Sequence, residues 1–393
     1  MKKEEVGASG KVCYNVQMDD LKAIREKIDD ADREMVALFE KRMQLAEEVA
    51  AYKIKNKIPI LDKTREDQKL AEVEALADMP YTKKSVRELY TQIMSMSRKR
   101  QYQLLAEQKQ TETMAFREVE ALKKEHVRTV FQGEEGAYAQ AALYAFFGPE
   151  TPCYHVETWR DALEEICNGR ADYAVLPFEN SSAGYVSENF DLISEYDVAI
   201  VGEQIIPIEH CLLAKEETAP EAIRQVYSHP QAFLQCSHFL EQHRHMERIS
   251  LKNTAAAAKK ISEEDRTDQA AIASALTADI YGLKKIRTGI QNNESNSTRF
   301  FVVSNEKIFV KGADKITVSF EIKHEAGSLY RTLSHFIYND LNLNRIESRP
   351  IQGRNWEYRF FIDIDGNLNE SAVQNALRGL AAETNQCKVW GNY

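Results

Sequence analysis

Thirty-nine consecutive residues, 19–57, contain neither glycine nor proline. Within them Leu21, Ile24, Ile28, Ala31, Met35, Leu38, Leu45, Val49 and Tyr52 recur at heptad spacing, which predicts one long amphipathic helix with a single buried stripe. Such a helix runs about 58 Å, more than a three-helix unit of one chain can cover. Two copies are therefore expected to pack together and share their cores. Arg42 falls on the apolar stripe, and Arg25 and Lys53 lie one residue beside it. Burying an unpaired charge costs several kcal/mol, so cations at a packing face imply an anion held there. The expectation is a site for a small polyanionic molecule in a helical bundle, against the alternative of a solvated coiled coil with flanking salt bridges.

The rest of the chain narrows the field. Asp plus Glu number 61 against 51 Lys plus Arg, a net charge of -10, which argues against a broad nucleic-acid footprint. No apolar run follows MKKEEVGASGK, and none approaches the roughly 18 residues of a membrane span, so a cytoplasmic protein is expected. Cys13, Cys153, Cys167, Cys211, Cys236 and Cys387 are scattered without a close pair, which fits reduced thiols. No metal-ligand spacing occurs, and neither metal nor cofactor is expected.

Three textures divide the 393 residues. Residues 1–107 are helical in pattern, with a break at Pro59, a second helix from near Asp62, a stop at 78–80 and a third helix from Lys83. Residues 108–126 read as a helical connector. Residues 127–310 alternate short apolar runs with helices, the strand candidates being 129–131, 174–177, 198–201, 270–273 and 300–303, an α/β pattern. Residues 311–393 read β-α-β-β-α-β, the order of a ferredoxin-like sandwich. Its strands carry no glycine-aromatic RNA-binding run.

In the helical part Asp62, Arg65 and Glu66 share one face of the second helix, and the third helix's seam of Val86, Tyr90 and Ile93 continues into Ser97 and Gln101. Residues 21–105 thereby resemble the all-helical, intertwined chorismate mutase family, on Arg25 to Ile28, Arg42, Lys53, Asp62, Arg65, Glu66, Ser97 and Gln101. That family rearranges chorismate to prephenate without nucleophile or proton transfer, by restraint and electrostatics. The resemblance implies that Arg42 of one subunit and Arg25 of the other clamp the two carboxylates, with Arg65 assisting. It also implies that Lys53 and Gln101 donate to the ether oxygen, and that Glu66 and the Asp62 region hold the ring hydroxyl, with Ser97 binding substrate.

In the α/β part, Gly133 to Tyr138 forms a glycine turn that opens a helix, where backbone N–H groups face an anion in many folds. Pro177 to Gly184 gathers small polar residues at a strand's carboxyl end. Ser228-His229-Pro230-Gln231 fits a capping box, which leaves Ser228 either a helix cap or a site residue. Thr298 and Arg299, adjacent on a strand, point to opposite faces. Residues 128–305 resemble the prephenate dehydratase family, on Glu179-Asn180-Ser181, Ser228 to Gln231 with Gln235-Cys236, and Thr298-Arg299-Phe300. The resemblance implies two α/β lobes like those of periplasmic binding proteins and conversion of prephenate to phenylpyruvate, carbon dioxide and water. Thr298 is then the donor to the departing hydroxyl. Asn180, Ser181, Ser228 and Gln235 orient the substrate, Arg299 meets a carboxylate or structures the cleft, and His229 is structural. Glu134 departs from that family's Gly-Pro-x-Gly turn.

Residues 315–393 resemble the phenylalanine-sensing ACT domains, on Gly327-Ser328-Leu329 at a helix start and Glu347-Ser348-Arg349-Pro350 after the next strand. The helix terminus suits an amino-acid carboxylate and Glu347 its ammonium. Such domains pair edge to edge and bind effector between subunits, although the family commonly has alanine where Ser328 stands. Taken together, the chain resembles the bifunctional chorismate mutase/prephenate dehydratase family, with chorismate and prephenate as substrates, phenylalanine as feedback effector, and a homodimer or higher oligomer as assembly. The rival readings are an amino-acid sensor with inactive catalytic modules, which a coupled assay on chorismate would separate, and a solute-binding module, which usually requires export.

Overall fold

The computed structural model describes residues 18–107, 116–322, 324–351 and 353–393. Cys13 and the connector's residues 108–115 lie outside the described residues. The chain divides into two compact units, residues 1–111 and 112–393. No described helix is long and apolar enough to cross a membrane.

The first unit holds three helices: α1 (Met18–Lys55), α2 (Lys63–Ala75) and α3 (Pro80–Glu107). Asp62 caps α2 by accepting from Arg65 N, and Pro80 opens α3, where its missing N–H leaves no helical bond unmade. The expected buried stripe of α1 is bare in the single chain: Leu38 is 66 % exposed and Tyr52 64 %. The face that packs within the chain is rotated from it and runs through Phe39, Met43, Ala46, Ala50 and Ile54, with Ala50 fully buried. Periodicity gave the right helix and one of its two apolar faces, the one that α2 and α3 leave uncovered. Arg42 and Lys53 are half-buried with the packed face, whereas Arg25, beside the uncovered stripe, is exposed in the single chain.

The second unit begins with β1 (Arg117–Val119), which pairs in parallel with a strand near 308 and replaces part of the expected helical connector. Its short polar run gains the backbone partners of a sheet edge, which outweighs weak local helix preference. The first lobe follows: β2 (Thr129–Gln132), α4 (Tyr138–Phe147), β3 (Cys153–Val156), α5 (Trp159–Cys167), β4 (Tyr173–Asn180), β5 (Gly184–Tyr185), α6 (Ser187–Ile193) and β6 (Ala199–Pro207). The chain crosses through 208–210 into a second lobe of β7 (Cys211–Ala214), β8 (Gln225–Ser228), α7 (Pro230–Gln235), α8 (Ser237–Gln242), β9 (Glu247–Ser250), α9 (Thr254–Glu263), β10 (Gln269–Ala273), α10 (Ala275–Tyr281) and β11 (Lys284–Arg287). It returns through 288–296 to β12 (Ser297–Ser304) and β13 (Ile308–Val310).

The first-lobe sheet has the order β3-β2-β4-β12-β6, with β5 beside β4, and the second β11-β7-β10-β8-β9. Two crossings between two mixed sheets make a two-lobed fold, and the site residues collect where the chain passes between lobes. Gly136 packs so closely on Thr277 of α10 that a Cβ there would lie 2.5 Å from its methyl carbon. The loop Gly133 to Tyr138 is accordingly fastened across the lobes: Gly136 O accepts from Ser274, Glu135 O accepts from Tyr281, and Glu134 pairs with Lys259 and Lys252. Its N–H groups at Gly133, Gly136 and Ala137 are taken up within the first lobe, so the anion reading of this turn is corrected.

The last segment is β14 (Lys315–Glu321), α11 (Ser328–Ile337), β15 (Leu343–Pro350), β16 (Tyr358–Asp365), α12 (Ser371–Glu383) and β17 (Asn385–Asn392). Its antiparallel sheet has the order β15-β16-β14-β17, the split β-α-β arrangement expected from sequence. Phe361 and Trp390 enter the first lobe's core beside Phe178, Phe190 and Phe301. Burying each such ring is worth about 1.5–3 kcal/mol, so this sheet and the first lobe form one body. Gly391 passes so near Ile200 O that no side chain fits there.

Candidate active sites

In the helical unit, α1, α2 and α3 line a hollow of about 290 Å³. Arg42, Lys53, Asp62, Arg65, Glu66, Ser97 and Gln101, seven of the residues singled out from sequence, all border it. Arg42 donates to Ser97 Oγ at 2.7 Å, and Ser97 donates to Ile93 O, which fixes the hydroxyl. Lys53 Nζ donates to Ile60 O at 2.6 Å. Partial burial lowers the Arg42 pKa, with Tyr90 and Glu66 acting against it. Gln101 is buried and its Oε1 has no hydrogen-bond partner, a state that costs about 1–3 kcal/mol unless a ligand supplies one.

Two cations that border this hollow, Arg98 and Lys69, were not singled out from sequence. Arg98 pairs with Glu66. It stands one residue after Ser97 in a helix, where the seam itself draws attention from its neighbours. Asp62 spends one carboxylate oxygen on the cap of α2, and Arg65 is exposed. Arg25 does not border the hollow.

Between the lobes of the second unit, Ser182, Gln231, Gln235, Gln291, Asn293 and Asn296 border a second hollow, about 230 Å³ in volume. Every polar residue that lines it is neutral. Thr298 is outside this lining and connects to it through Asn180. The Asn180 carboxamide N–H meets Thr298 Oγ1 at 2.9 Å and Asn296 Oδ1 at 3.0 Å, while Asn180 Oδ1 accepts from Ser182 N and Ala183 N. Those two acceptances set which end of the amide faces Thr298. With its oxygen already accepting, the Thr298 hydroxyl keeps its proton free to donate. Ser181 Oγ accepts from Ser297 N and so clasps the same turn. Register explains the meeting: β12 runs antiparallel to β4 with Thr298 opposite Asn180.

Two expected site residues, Ser228 and Arg299, stand elsewhere. Ser228 is fully buried and donates to Ile272 O at 2.6 Å, joining β8 to β10. The cap of α7 is His229, whose Nδ1 accepts from Gln231 N, because Pro230 occupies the first helical position and moves the frame by one residue. Burial lowers the His229 pKa. Arg299 turns to the other face of β12, where it bonds Glu203 at 2.6 Å, Asp363 at 2.8 Å and the Tyr393 hydroxyl at 3.1 Å. Its guanidinium is satisfied by the protein, which favours the structural one of its two expected roles over contact with a substrate carboxylate.

In the last segment Gly327, at φ 78°, caps α11, and a hollow of about 230 Å³ opens beside it. Gly327, Ser328 and Leu329 border it with Tyr330, Trp356 and Tyr358. Glu347 to Pro350 lie on β15, an edge strand, away from this hollow in the same chain. Arg349 there reaches Asp191 of α6 at 2.7 Å.

One chain thus joins a helical unit with a cation-rich hollow to a two-lobed α/β enzyme fold carrying an additional β-α-β-β-α-β domain. Residues 24–102 match the family described as chorismate mutase type II, and residues 129–308 match prephenate dehydratase. The bifunctional chorismate mutase/prephenate dehydratase of Aquifex aeolicus is 32 % identical over 384 residues, spanning 96 % of this chain and 98 % of that one. A prephenate dehydratase from Arthrobacter aurescens, solved in complex with L-Phe, superposes with a TM-score of 0.63 at 32 % identity, covering 68 % of this chain and 89 % of its own. A structure titled as a quorum-quenching acylase, GqqA, is similar at a TM-score of 0.62 and 28 % identity, covering 67 % of this chain and 96 % of that one. The chain belongs to the bifunctional chorismate mutase/prephenate dehydratase family. It is an enzyme of phenylalanine biosynthesis with both activities, which sets aside the reading as a sensor with inactive modules.

Proposed function

We propose that the two hollows carry the two steps, chorismate to prephenate in the helical unit and prephenate to phenylpyruvate between the lobes. The observation that supports this division is their different electrostatics, one hollow rich in cations and the other neutral. Chorismate brings two carboxylates and leaves with both, so it suits a hollow bordered by Arg42, Lys53, Arg65 and Arg98. Prephenate must give up one carboxylate as carbon dioxide, and a lining of neutral amides does not hold that charge in place.

In the mutase step Arg42 binds one carboxylate, and Arg25 of a second copy completes the clamp. Lys53 and Gln101 stabilise the ether oxygen as its bond to the ring breaks, and Glu66 with Asp62 orients the ring hydroxyl. In the dehydratase step the ring carbon–carboxylate bond breaks, its electron pair enters the ring, and the hydroxyl on the opposite ring carbon leaves with a hydrogen bond from Thr298. Asn180 holds Thr298 in its donating orientation. The bare stripe of α1 is the face on which a second copy packs, giving a homodimer or a larger assembly. The domain after β13 is an ACT domain that takes phenylalanine beside Gly327 to Leu329, with Glu347 to Pro350 of a neighbouring copy closing the site. Phenylalanine then shifts the dehydratase toward a less active state. The protein works in the cytoplasm.

Product analysis after incubation with chorismate alone tests the division. Phenylpyruvate forms without added cofactor, and accumulation of prephenate alone would remove the dehydratase half.

A further inference from the structure

His210 lies in the first crossing between lobes, and among the described residues it touches both lobes and the second crossing. The residue is 2 % exposed. Its backbone N donates to Gln291 Oε1 at 3.0 Å, and its carbonyl accepts from Ile290 N, so the two crossings are bound to each other at this residue. On one side of the ring, Nδ1 lies 3.1 Å from the hydroxyl of Tyr138, which opens α4 in the first lobe. That hydroxyl also donates to Glu209 O at 2.7 Å. On the other side, Nε2 lies 2.9 Å from Gln235 Oε1, at the end of α7 in the second lobe. Burial lowers the His210 pKa, which keeps the ring neutral near pH 7 with one proton to place.

Gln235 borders the amide-lined hollow and is there because α7 ends at it. A glutamine side chain has three free torsions, and a fixed contact needs something to remove that freedom. His210 does so: its Nε2 holds one end of the Gln235 carboxamide and leaves the other end to the hollow. The one proton of the Tyr138 hydroxyl goes to Glu209 O, which anchors the tyrosine and leaves its oxygen to hold the ring at Nδ1. We infer that Tyr138, His210 and Gln235 form a positioning relay across the two lobes, in which His210 fixes the orientation of the Gln235 carboxamide toward prephenate, and does no proton transfer itself. The relay rests on the assignment of the dehydratase step to this hollow. It also links the two lobes, because Tyr138 of the first and Gln235 of the second both bond the same ring.

A double-mutant cycle in the full-length protein tests it, with prephenate as substrate and mutase activity of each preparation as the control for intact protein. Gln235→Ala and His210→Leu should each lower dehydratase kcat/KM by about 10- to 100-fold, the loss of one hydrogen bond to substrate. The double variant should fall within about 3-fold of Gln235→Ala, since the histidine acts only through the glutamine. His210→Gln, whose amide reaches the Gln235 oxygen, should recover most of the rate. Multiplying losses in the double variant, or a His210→Gln variant as slow as His210→Leu, would overturn the relay. If His210→Leu does not fold, Tyr138→Phe takes its place: about a 5-fold loss in wild type and none in Gln235→Ala is expected, and equal losses in both overturn it. A wild-type protein with no dehydratase activity would instead remove the assignment of the step, leaving the relay without a reaction to serve.

Discussion

Asp363 Oδ2 lies 2.8 Å from Arg299 Nη1, so the residue beside Thr298 is held by a carboxylate of the last domain's sheet. Asp363 is 1 % exposed and is also paired through both oxygens with Arg345 and bonded by Thr317. Burial raises its pKa, but the hydrogen bonds and charge of Arg345, the charge of Arg299 and the Thr317 hydroxyl outweigh it and bring it to about 2. Burial likewise opposes the Arg299 charge, and Tyr393, Asp363 and Glu203 more than restore it.

A folded pKa below the unfolded value gives stability that is complete above the unfolded pKa and lost as pH falls through the folded one. For Asp363 the window runs from about pH 4 down to about 2, and the contribution is on the order of 2 kcal/mol. Asp363→Asn should lower the unfolding midpoint at pH 7 markedly, since breaking a buried pair costs about 3–5 kcal/mol. It should also flatten the acid loss in that window. Denaturant titrations of both proteins from pH 7 to about 2 check this, and parallel pH profiles would show that Asp363 is not the group responsible.

The two activities should separate by single substitutions. Lys53→Ala removes a cation from the first hollow and should lower the mutase rate by about 10²-fold or more while the dehydratase persists. Thr298→Ala should do the reverse, and Thr298→Ser, which keeps the hydroxyl, should retain much of the rate. Separate assays on chorismate and prephenate read the outcome. Loss of both activities from either change would point to general unfolding.

The bare stripe of α1 makes a prediction about assembly. Leu38→Glu puts a charge where a second copy is proposed to pack, at a position 66 % exposed in one chain. The unit should shift toward monomer in light scattering and lose mutase activity, because Arg25 would no longer reach a partner's hollow. A monomer with undiminished mutase rate would show that each chain completes its own site.

How much of this could be read beforehand depends on how local the governing force is. The helices of the first unit follow from periodicity and caps, and seven hollow-lining residues from a polar pattern on three seams. Which face of α1 packs within the chain was not legible, because periodicity reports that a face is apolar and not what covers it. The buried strands β4, β6, β10 and β12 announced themselves as apolar runs, whereas β9 and β11, short and largely exposed, carry no such signal. Ser228 was misleading for a local reason: Ser-x-x-Gln fits a capping box, but Pro230 at the first helical position hands the cap to His229, a shift that the proline itself signals. His210 escaped notice because its partners, Tyr138 and Gln235, are distant in sequence and meet only through the tertiary crossing between lobes.

Arg349 and Asp191 offer the sharpest test of how an effector proposed to bind the last domain would reach the dehydratase. Arg349 Nη2 lies 2.7 Å from Asp191 Oδ2 and joins β15 to α6, the helix that follows the Asn180 turn and β5. Both groups are partly exposed, at 23 % and 40 %, so the pair adds at most about 1 kcal/mol to stability and its loss should not unfold the protein. Its value is as a connection between a strand proposed to close the effector site and the helix that follows the turn of Asn180, the residue bonded to the proposed donor Thr298. Asp191→Asn keeps the shape and removes the charge. Calorimetry should still find phenylalanine bound, while saturating phenylalanine should depress the dehydratase rate less than in wild type. Coupling is reciprocal for binding, so substrate or a substrate analogue should also perturb phenylalanine affinity less in the variant. Undiminished inhibition with unchanged reciprocity would mean that the signal travels instead through the shared core of Phe361, Trp390 and Phe190.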